Sequence, residues 1–338
     1  MSSLFSRLLK REQVAPEQSD SAKFPYLDLR EVSKLMEHAE KQRRRNPEPV
    51  KVQPARETTR HFETGENRYR DECAIGEGGT AIVYKSFDVN LRRPVAVKRF
   101  KEGDAVEDSD FVAEMEAVSP IQHPHVIQAY DAGISSTGEF IVMELIKGQD
   151  LEQILEGGPL NLREFEDLAV QLLEGLGATH AGGIAHLDIK PSNVMIKVRL
   201  SGQLDVTLID YGKAKLIEHL ELNEGPVTKG GLVGSIYYMS PQQLKKKGVT
   251  LRCDLYSVGC LFYAALSGKR PFEGDTAIQV MSSHLQHRVT LLHEVAPHLP
   301  EALCEWVMQF IEKDPAARPE SAADALSQFV LERANFLS

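Results

Sequence analysis

The chain has 338 residues, 42% of them hydrophobic and 26% charged, an ordinary soluble globular composition with room for one large or two medium domains. No apolar run approaches the roughly 18–20 residues of a membrane span, and Arg7 and Lys10-Arg11 break up the hydrophobic residues that a signal peptide would need. The net charge of −10 is uneven: residues 1–65 hold 13 Lys and Arg against 10 Asp and Glu, and the remainder 26 against 39, so the main domain is acidic and expected to bind no nucleic acid.

Residues 1–65 read as an extension outside the main domain. Leu4, Phe5, Leu8 and Leu9 form a short basic amphipathic patch, and a frayed terminus competes with a membrane or partner contact there. Residues 27–45 read as a helix, with Leu29, Val32, Leu35, Met36 and Ala39 on one face and Arg43-Arg44-Arg45 suited to its C-terminal end. Peripheral contact through 1–45 is therefore an expectation that composition does not decide. Asn46-Pro47 stops the helix, and 47–65 reads as a linker.

The second domain is expected over 66–335. Ala74-Ile75-Gly76-Glu77-Gly78-Gly79-Thr80-Ala81-Ile82-Val83-Tyr84-Lys85 is a glycine-rich run flanked by β-formers, and such glycines let backbone N–H groups approach phosphates. Its continuation as a strand, rather than into a helix, disfavours a dinucleotide turn. Val95-Ala96-Val97-Lys98 reads as a buried strand ending in a cation. A short helix follows over 110–119, stopped by Pro120, with Glu114 nine residues before His123-Pro124 and Glu116 as its rival. Phe140-Ile141-Val142-Met143-Glu144-Leu145 reads as a buried strand running towards Gly148. A long amphipathic helix is predicted over 161–181, up to Gly182-Gly183. A strand pair is predicted around 194–198 and 204–208.

Around that pair stand His186-Leu187-Asp188-Ile189-Lys190-Pro191-Ser192-Asn193 and Leu208-Ile209-Asp210-Tyr211-Gly212. The first fits H-x-D-x-x-x-x-N and the second fits D-aromatic-G. Together they resemble the catalytic loop and metal-binding turn of protein kinases, closest to bacterial Hanks-type serine/threonine kinases. The resemblance extends over about 69–335. It implies an α+β fold of two lobes, a small β-rich lobe with one helix (about 69–146) and a larger, mainly helical lobe (about 147–335), with ATP in the cleft. By the same resemblance Lys98, paired with Glu114, holds the nucleotide phosphates. Asp188 orients the acceptor hydroxyl, and Lys190 steadies the phosphoryl group. Asn193 and Asp210 hold Mg2+, with Mn2+ as an alternative ion. Ile75, Gly76, Gly78, Val83, Ala96 and Met195 enclose the nucleotide, Met143 stands behind the adenine, the backbone of Glu144 and Ile146 meets its edge, and Asp150 meets the ribose.

The polar stretch 213–233 reads as an activation segment whose serine or threonine is Thr228. Gly234-Ser235-Ile236-Tyr237-Tyr238-Met239-Ser240-Pro241-Gln242 resembles its substrate-docking end, with Ser235 bridging Asp188 and Lys190. Asp254 resembles the buried aspartate that braces the catalytic loop. Three positions depart from the pattern. Leu187 replaces the common arginine (a non-RD kinase), Gln242 replaces the glutamate partner of Arg318, and Ala81 replaces a glycine. The implied activity is ATP-dependent phosphorylation of protein serine and threonine hydroxyls, on substrates the sequence does not name. A pseudokinase scaffold and a small-molecule phosphotransferase are the rival readings. Cys73, Cys253, Cys260 and Cys304 show neither pairing nor metal-ligand spacing, so a reducing cytoplasm is expected, with Cys253 and Cys260 in a core helix.

Overall fold

The computed structural model describes residues 67–101, 114–115, 117–136, 138–217, 220 and 234–337. The expected helix at 27–45, Glu116 and Thr228 lie outside these residues. The first element is a five-stranded antiparallel sheet in the order β1-β2-β3-β5-β4, built from β1 (Tyr69–Glu77), β2 (Ala81–Asp88), β3 (Arg93–Phe100), β4 (Ala129–Ser135) and β5 (Gly138–Met143). Its central strand, β3, buries Val95, Ala96, Val97 and Lys98 in succession, as a strand covered on both faces must. Asp88 closes the β2–β3 turn by accepting from Asn90 N and Leu91 N while it pairs with Arg68 at 2.9 Å. Strand β5 ends at Met143, two residues before the predicted end, because Glu144 N–H turns to donate to Gln128 O.

The larger lobe begins with β6 (Gln149–Asp150) and α1 (Leu151–Leu155), and continues into α2 (Leu162–Ala181). Asn161 starts α2 with a capping box: its side chain accepts from Arg163 N and Glu164 N, while Glu164 accepts from Asn161 N. The helix ends at Gly182-Gly183, where Gly183 takes φ +74°. Strand β7 (Ile184–Ala185) leads to the catalytic-type loop and to the pair β8 (Val194–Val198) and β9 (Leu204–Leu208), which lie at the predicted positions and join β6 in one sheet. Strand β10 (Lys215–Leu216) pairs with β7. Parallel bridging of Val126 to Leu208, with Ile127 N donating to Leu208 O, fastens the segment before β4 to this sheet.

Helices α3 (Pro241–Lys245), α4 (Arg252–Ser267), α5 (Ala277–Gln286), α6 (Leu292–Val295), α7 (Glu301–Phe310), α8 (Ala322–Leu331) and α9 (Arg333–Phe336) complete the lobe. Helix α4 is buried on all sides from Cys253 to Leu266, which explains its all-round apolar sequence. Cys253 and Cys260 lie in that core, and burial raises both thiols above their ordinary pKa. At Gly259 a Cβ would come within 2.4 Å of Phe310 Cβ, so glycine is what lets α4 and α7 pack. Phe165, Phe262, Trp306, Phe310 and Phe329 interlock around this contact.

Arg318 is 4% exposed and meets only neutral acceptors: Glu312 O (2.7 Å), Arg252 O (2.8 Å), Gln242 Oε1 (2.9 Å) and Lys313 O (3.2 Å). Burial lowers its pKa. Gln242 also donates through Nε2 to Lys313 O at 3.2 Å, a bond that glutamate would forfeit. The charge-assisted bond to Arg318 is the larger effect. Gln242→Glu is therefore expected to stabilise the fold by about 1 kcal/mol, a rise of about 2 °C in melting temperature. An unchanged or lower melting temperature would mean that desolvating the new carboxylate outweighs the pairing.

Candidate active site

Lys98 reaches out of β3 to two carboxylates. Its Nζ lies 2.7 Å from Glu114 Oε1 and Oε2 and 2.9 Å from Asp210 Oδ1. Residues 114, 115, 117 and 118 are helical and bring Glu114, 5% exposed, against the sheet, so the predicted pairing forms through Glu114. Burial disfavours the Lys98 ammonium, but Asp210 and Glu114 outweigh it and raise the pKa well above the ordinary lysine value. The same contact reverses the burial effect at Asp210 and holds its carboxyl far below the usual carboxylate range. Asp210 adopts φ +62°, and a Cβ on Gly212 would lie 3.3 Å from Asp210 Oδ1, Glu114 Oε2 and Lys98 Nζ. Glycine after the aromatic residue thus keeps a side chain off the three charges.

Asp254, fully buried at the start of α4, holds the loop that carries Asp188. It accepts from His186 N (2.8 Å), Leu187 N (2.7 Å) and His180 Nε2 (2.9 Å). Leu187 takes φ +61° between these anchors, and its carbonyl accepts from Gln243 Nε2 at 3.0 Å. Sequence reasoning passed over Gln243, whose one visible signal is its place three residues after Ser240 in a capping box. His186 packs its ring against Tyr211 at 4.6 Å between centroids, and burial keeps its pKa below the ordinary histidine value.

Asp188 is 7% exposed and bonded on both oxygens. Oδ2 accepts from Lys190 Nζ (2.9 Å) and Asn193 Nδ2 (3.1 Å), and Oδ1 accepts from Lys213 Nζ (2.9 Å). Ser235 Oγ accepts from Lys190 at 3.1 Å and from Lys213 at 3.2 Å. Burial pushes the Asp188 pKa up, but Lys213 and then Lys190 outweigh it, so the carboxyl lies below its ordinary value. The sequence reading gave Lys213 no part in this cluster. Its only visible signal is a lysine directly after Asp210-Tyr211-Gly212.

The remaining candidates lie on or beside strands of the two sheets. Register pairs Gly76 with Val83, Val83 with Lys98, Ala96 with Met143, and Asp150 with Met195. Ile75 is 51% exposed, whereas Ala96 is buried. The Glu144 N–H is committed to Gln128 O, which leaves its carbonyl, with the backbone of Ile146, for a ligand. Asp150 caps α1 by accepting from Gln153 N at 2.8 Å through Oδ1. Gly148 follows this backbone segment, and a Cβ there would meet Ile196 O at 2.2 Å.

Asn193 turns its Nδ2 to Asp188 O and Oδ2, leaving its amide oxygen as a donor for a cation, and Asp210 is a second oxygen donor, with a side chain 41% exposed. No cluster of three or more His, Cys, Asp or Glu that would enclose a metal ion occurs among the described residues. Two hard oxygen donors suit a magnesium-like ion that takes its other ligands from substrate phosphates and water.

Residues 69–330 match the protein kinase domain family. The chain belongs to that family. Among its relatives are a probable serine/threonine-protein kinase of Clostridium acetobutylicum, 34% identical over 80% of this chain and 41% of its own length, and PrkC of Bacillus subtilis, 31% identical over 76% and 39%. A third, the probable serine/threonine-protein kinase PknB of Bifidobacterium longum, is 34% identical over 76% of this chain and 38% of its own. The chain thus matches about two fifths of the length of these bacterial kinases. Membership implies use of ATP and a divalent metal.

Against that family pattern, the departure at Ala81 has a local cause. Its side chain is 4% exposed and packs with Phe100 and Ile141, so the methyl fills the sheet's own core. Among the described residues no helix is long and apolar enough to cross a membrane.

Removing Lys98 while keeping Glu114 strands a buried carboxylate. Lys98→Met is expected to destabilise the domain by about 3 kcal/mol, the scale for breaking a buried pair. Lys98→Met with Glu114→Gln should recover at least half of that loss. Chemical denaturation of the three proteins checks it, and a double variant no more stable than the single would assign the loss to packing alone.

Proposed function

We propose that this kinase domain transfers the γ-phosphoryl group of ATP to serine or threonine hydroxyls of proteins. The observation that carries the reading is the Lys98 ammonium bonded to both Glu114 and Asp210, which fixes a cation and the metal-type carboxylate together. A scaffold needs no such assembly beside a second one at Asp188. Among the described residues nothing demands glycine at 76 or 78, since a Cβ there would meet no atom of theirs closer than 3.7 Å. Close approach of phosphates to the hairpin backbone supplies the missing reason.

In this reading Lys98 pairs with the nucleotide phosphates, and Val83, Ala96 and Met195 enclose the base. Glu144 O and Ile146 hold its edge. Asn193 and Asp210 would hold Mg2+, which supplies charge neutralisation across the phosphates. Asp188 orients the acceptor hydroxyl and takes its proton as the oxygen bonds to the γ-phosphorus. The bond from that phosphorus to the β–γ bridging oxygen breaks, and its electron pair leaves with ADP. Lys190 balances charge on the group in transfer, and Ser235 sets the docking segment against Lys190. Catalysis is then positioning and electrostatics, with no covalent intermediate on the chain.

Purified protein with radiolabelled ATP and generic protein substrates tests the reading. Asp188→Asn and Asp210→Asn should each reduce transfer by at least ~100-fold. Absence of transfer by the wild-type chain would favour the scaffold reading, and labelling of small hydroxyl compounds alone would favour the small-molecule one.

Leu187 offers no guanidinium to hold a phosphate on the activation segment, and lysines would hold one only as point charges. Activity is therefore expected without phosphorylation at Thr228, with regulation arriving through residues 1–65 or a partner. Thr228→Ala, starting from protein shown by mass spectrometry to be unphosphorylated, should stay within about threefold of wild type, or ~0.7 kcal/mol in barrier. A tenfold loss with ATP binding intact would show that the segment needs its phosphate.

A further inference from the structure

One side-chain amide joins the end of the 234–242 segment to the loop that carries Asp188. Gln243 Oε1 accepts from Ser240 N at 3.0 Å and from Ser240 Oγ at 2.9 Å. A backbone N–H can only donate, so the amide oxygen faces Ser240 and the amide nitrogen faces the other way. That nitrogen donates to Leu187 O at 3.0 Å. Ser240 is fully buried, and its hydroxyl also accepts from Gln243 N at 3.3 Å. The residue is thus held at its backbone as well as at the tip of its side chain.

The oxygen that Gln243 meets belongs to the peptide unit that carries Asp188. Leu187 C=O and Asp188 N–H share one plane. The N–H end donates to His186 Nδ1 across a long 3.3 Å, and the C=O end has the shorter bond, to Gln243. On the other side of the Leu187 α-carbon, Leu187 N donates to Asp254 Oδ1 at 2.7 Å. Leu187 sits at φ +61° between these holds, a conformation that costs about 1–3 kcal/mol and persists only where its neighbours enforce it. Its side chain is apolar, so at this position the loop offers polar partners its backbone alone. Without the bond to Gln243 the plane is free to rotate about ψ of Leu187 and φ of Asp188. The second of these dihedrals sets where the Asp188 carboxylate stands.

The 234–242 segment is registered against the same frame. Tyr238 O accepts from Ser257 Oγ of α4 at 2.7 Å, and Ser235 Oγ accepts from Lys190 Nζ at 3.1 Å. Gln243 adds a tie at the far end of the segment, from the backbone of Ser240 to the backbone of Leu187. We propose that Gln243 is a positioning residue for phosphoryl transfer, holding the peptide plane of Asp188 in register with the segment on which the protein substrate docks. The inference rests on the reading of the domain as a phosphotransferase. It gives Gln243 two separable tasks, a cap made by its amide oxygen and a bridge made by its amide nitrogen.

Gln243→Glu separates the two tasks. A carboxylate still accepts from Ser240 N and Oγ, as glutamate does in a capping box, but it has no donor for Leu187 O. Gln243→Met removes both cap and bridge. In the full chain, Gln243→Glu should melt within about 2 °C of the wild type. Its turnover with ATP and a generic protein substrate should fall about tenfold, or ~1.4 kcal/mol in barrier, with KM for ATP unchanged within about twofold. Gln243→Met should lose turnover to the same extent and also melt lower. A residue that only caps the helix gives the opposite pattern, with wild-type turnover in Gln243→Glu and losses confined to Gln243→Met. Turnover of Gln243→Glu within about twofold of wild type overturns the proposal. So does a Gln243→Glu protein that melts far below the wild type, because the carboxylate retains the cap. If Gln243→Met does not fold, Gln243→Glu decides alone.

Amide hydrogen exchange reads the loop without turnover. A fragment spanning residues 186–189 should exchange about tenfold faster in Gln243→Glu than in the wild type, with α4 unchanged. If the wild type transfers no phosphate but this change appears, the bridge stands and the assigned reaction fails. If the wild type transfers phosphate and neither exchange nor turnover changes in Gln243→Glu, the reaction stands and the positioning role fails. Turnover lost with exchange unchanged also overturns the proposal, because the loss then does not pass through the loop.

Discussion

The buried carboxylate of Asp254 is the fixed point of the domain. Three donors converge on it, two of them backbone N–H groups of consecutive residues, His186 and Leu187. A loop that must expose an aspartate beside a cleft has few regular hydrogen bonds of its own, and its polar backbone groups need partners from elsewhere. Asp254 supplies them from the first turn of α4, the most deeply buried helix, so the loop is held by the least movable part of the lobe. The positive φ of Leu187 follows from this constraint, because adjacent N–H groups can aim at one carboxylate only if the chain turns sharply there. Strain of about 1–3 kcal/mol at such a position persists only where the surroundings hold it.

The site then depends on how two charge assemblies divide the work. Around Lys98 two carboxylates surround one ammonium, and around Asp188 two ammoniums surround one carboxylate. Each assembly fixes its side chains through direct ion pairs. Burial of Lys98, Glu114 and Asp188 strengthens both, since few waters screen those three groups.

Much of this was visible in the sequence wherever residue type and spacing act locally. The β8–β9 pair, the Asn161 start of α2 and the Gly182-Gly183 stop all follow from alternation, caps and glycine. Lys98, Asp188, Asn193 and Asp210 stood out because motif spacing singles them out, and the structure bonds Lys98 to Asp210 and Asn193 to Asp188. What spacing does not encode is where a flexible side chain turns. Lys213 reads as one more lysine in a polar stretch until the fold sets it over Asp188. Ala81 reads as a missing glycine until its methyl is found in the sheet core. The end of β5 was misjudged for a related reason, because the partner that draws Glu144 N–H away is Gln128, sixteen residues earlier.

Tyr211 shows how the two lobes are joined through chemistry rather than contact alone. It stands where the turn needs an aromatic ring, and it belongs to a buried cluster with Val118 and Ile121 from one side and Ile184 from the other. A tyrosine in that place brings a hydroxyl that must be satisfied in an apolar setting. Thr179 of α2 accepts from it at 2.8 Å, while its own hydroxyl donates to Gly175 O at 3.0 Å. Burial raises the phenol pKa far above its ordinary value, so the group stays a neutral hydrogen-bonding hydroxyl. A ring displaced from this cluster would leave Thr179 and the phenol without each other. The turn carrying Asp210 is thereby tied to the long helix beneath it. Lys98 ties the same turn to the sheet above, so the metal-type carboxylate is held from both lobes at once.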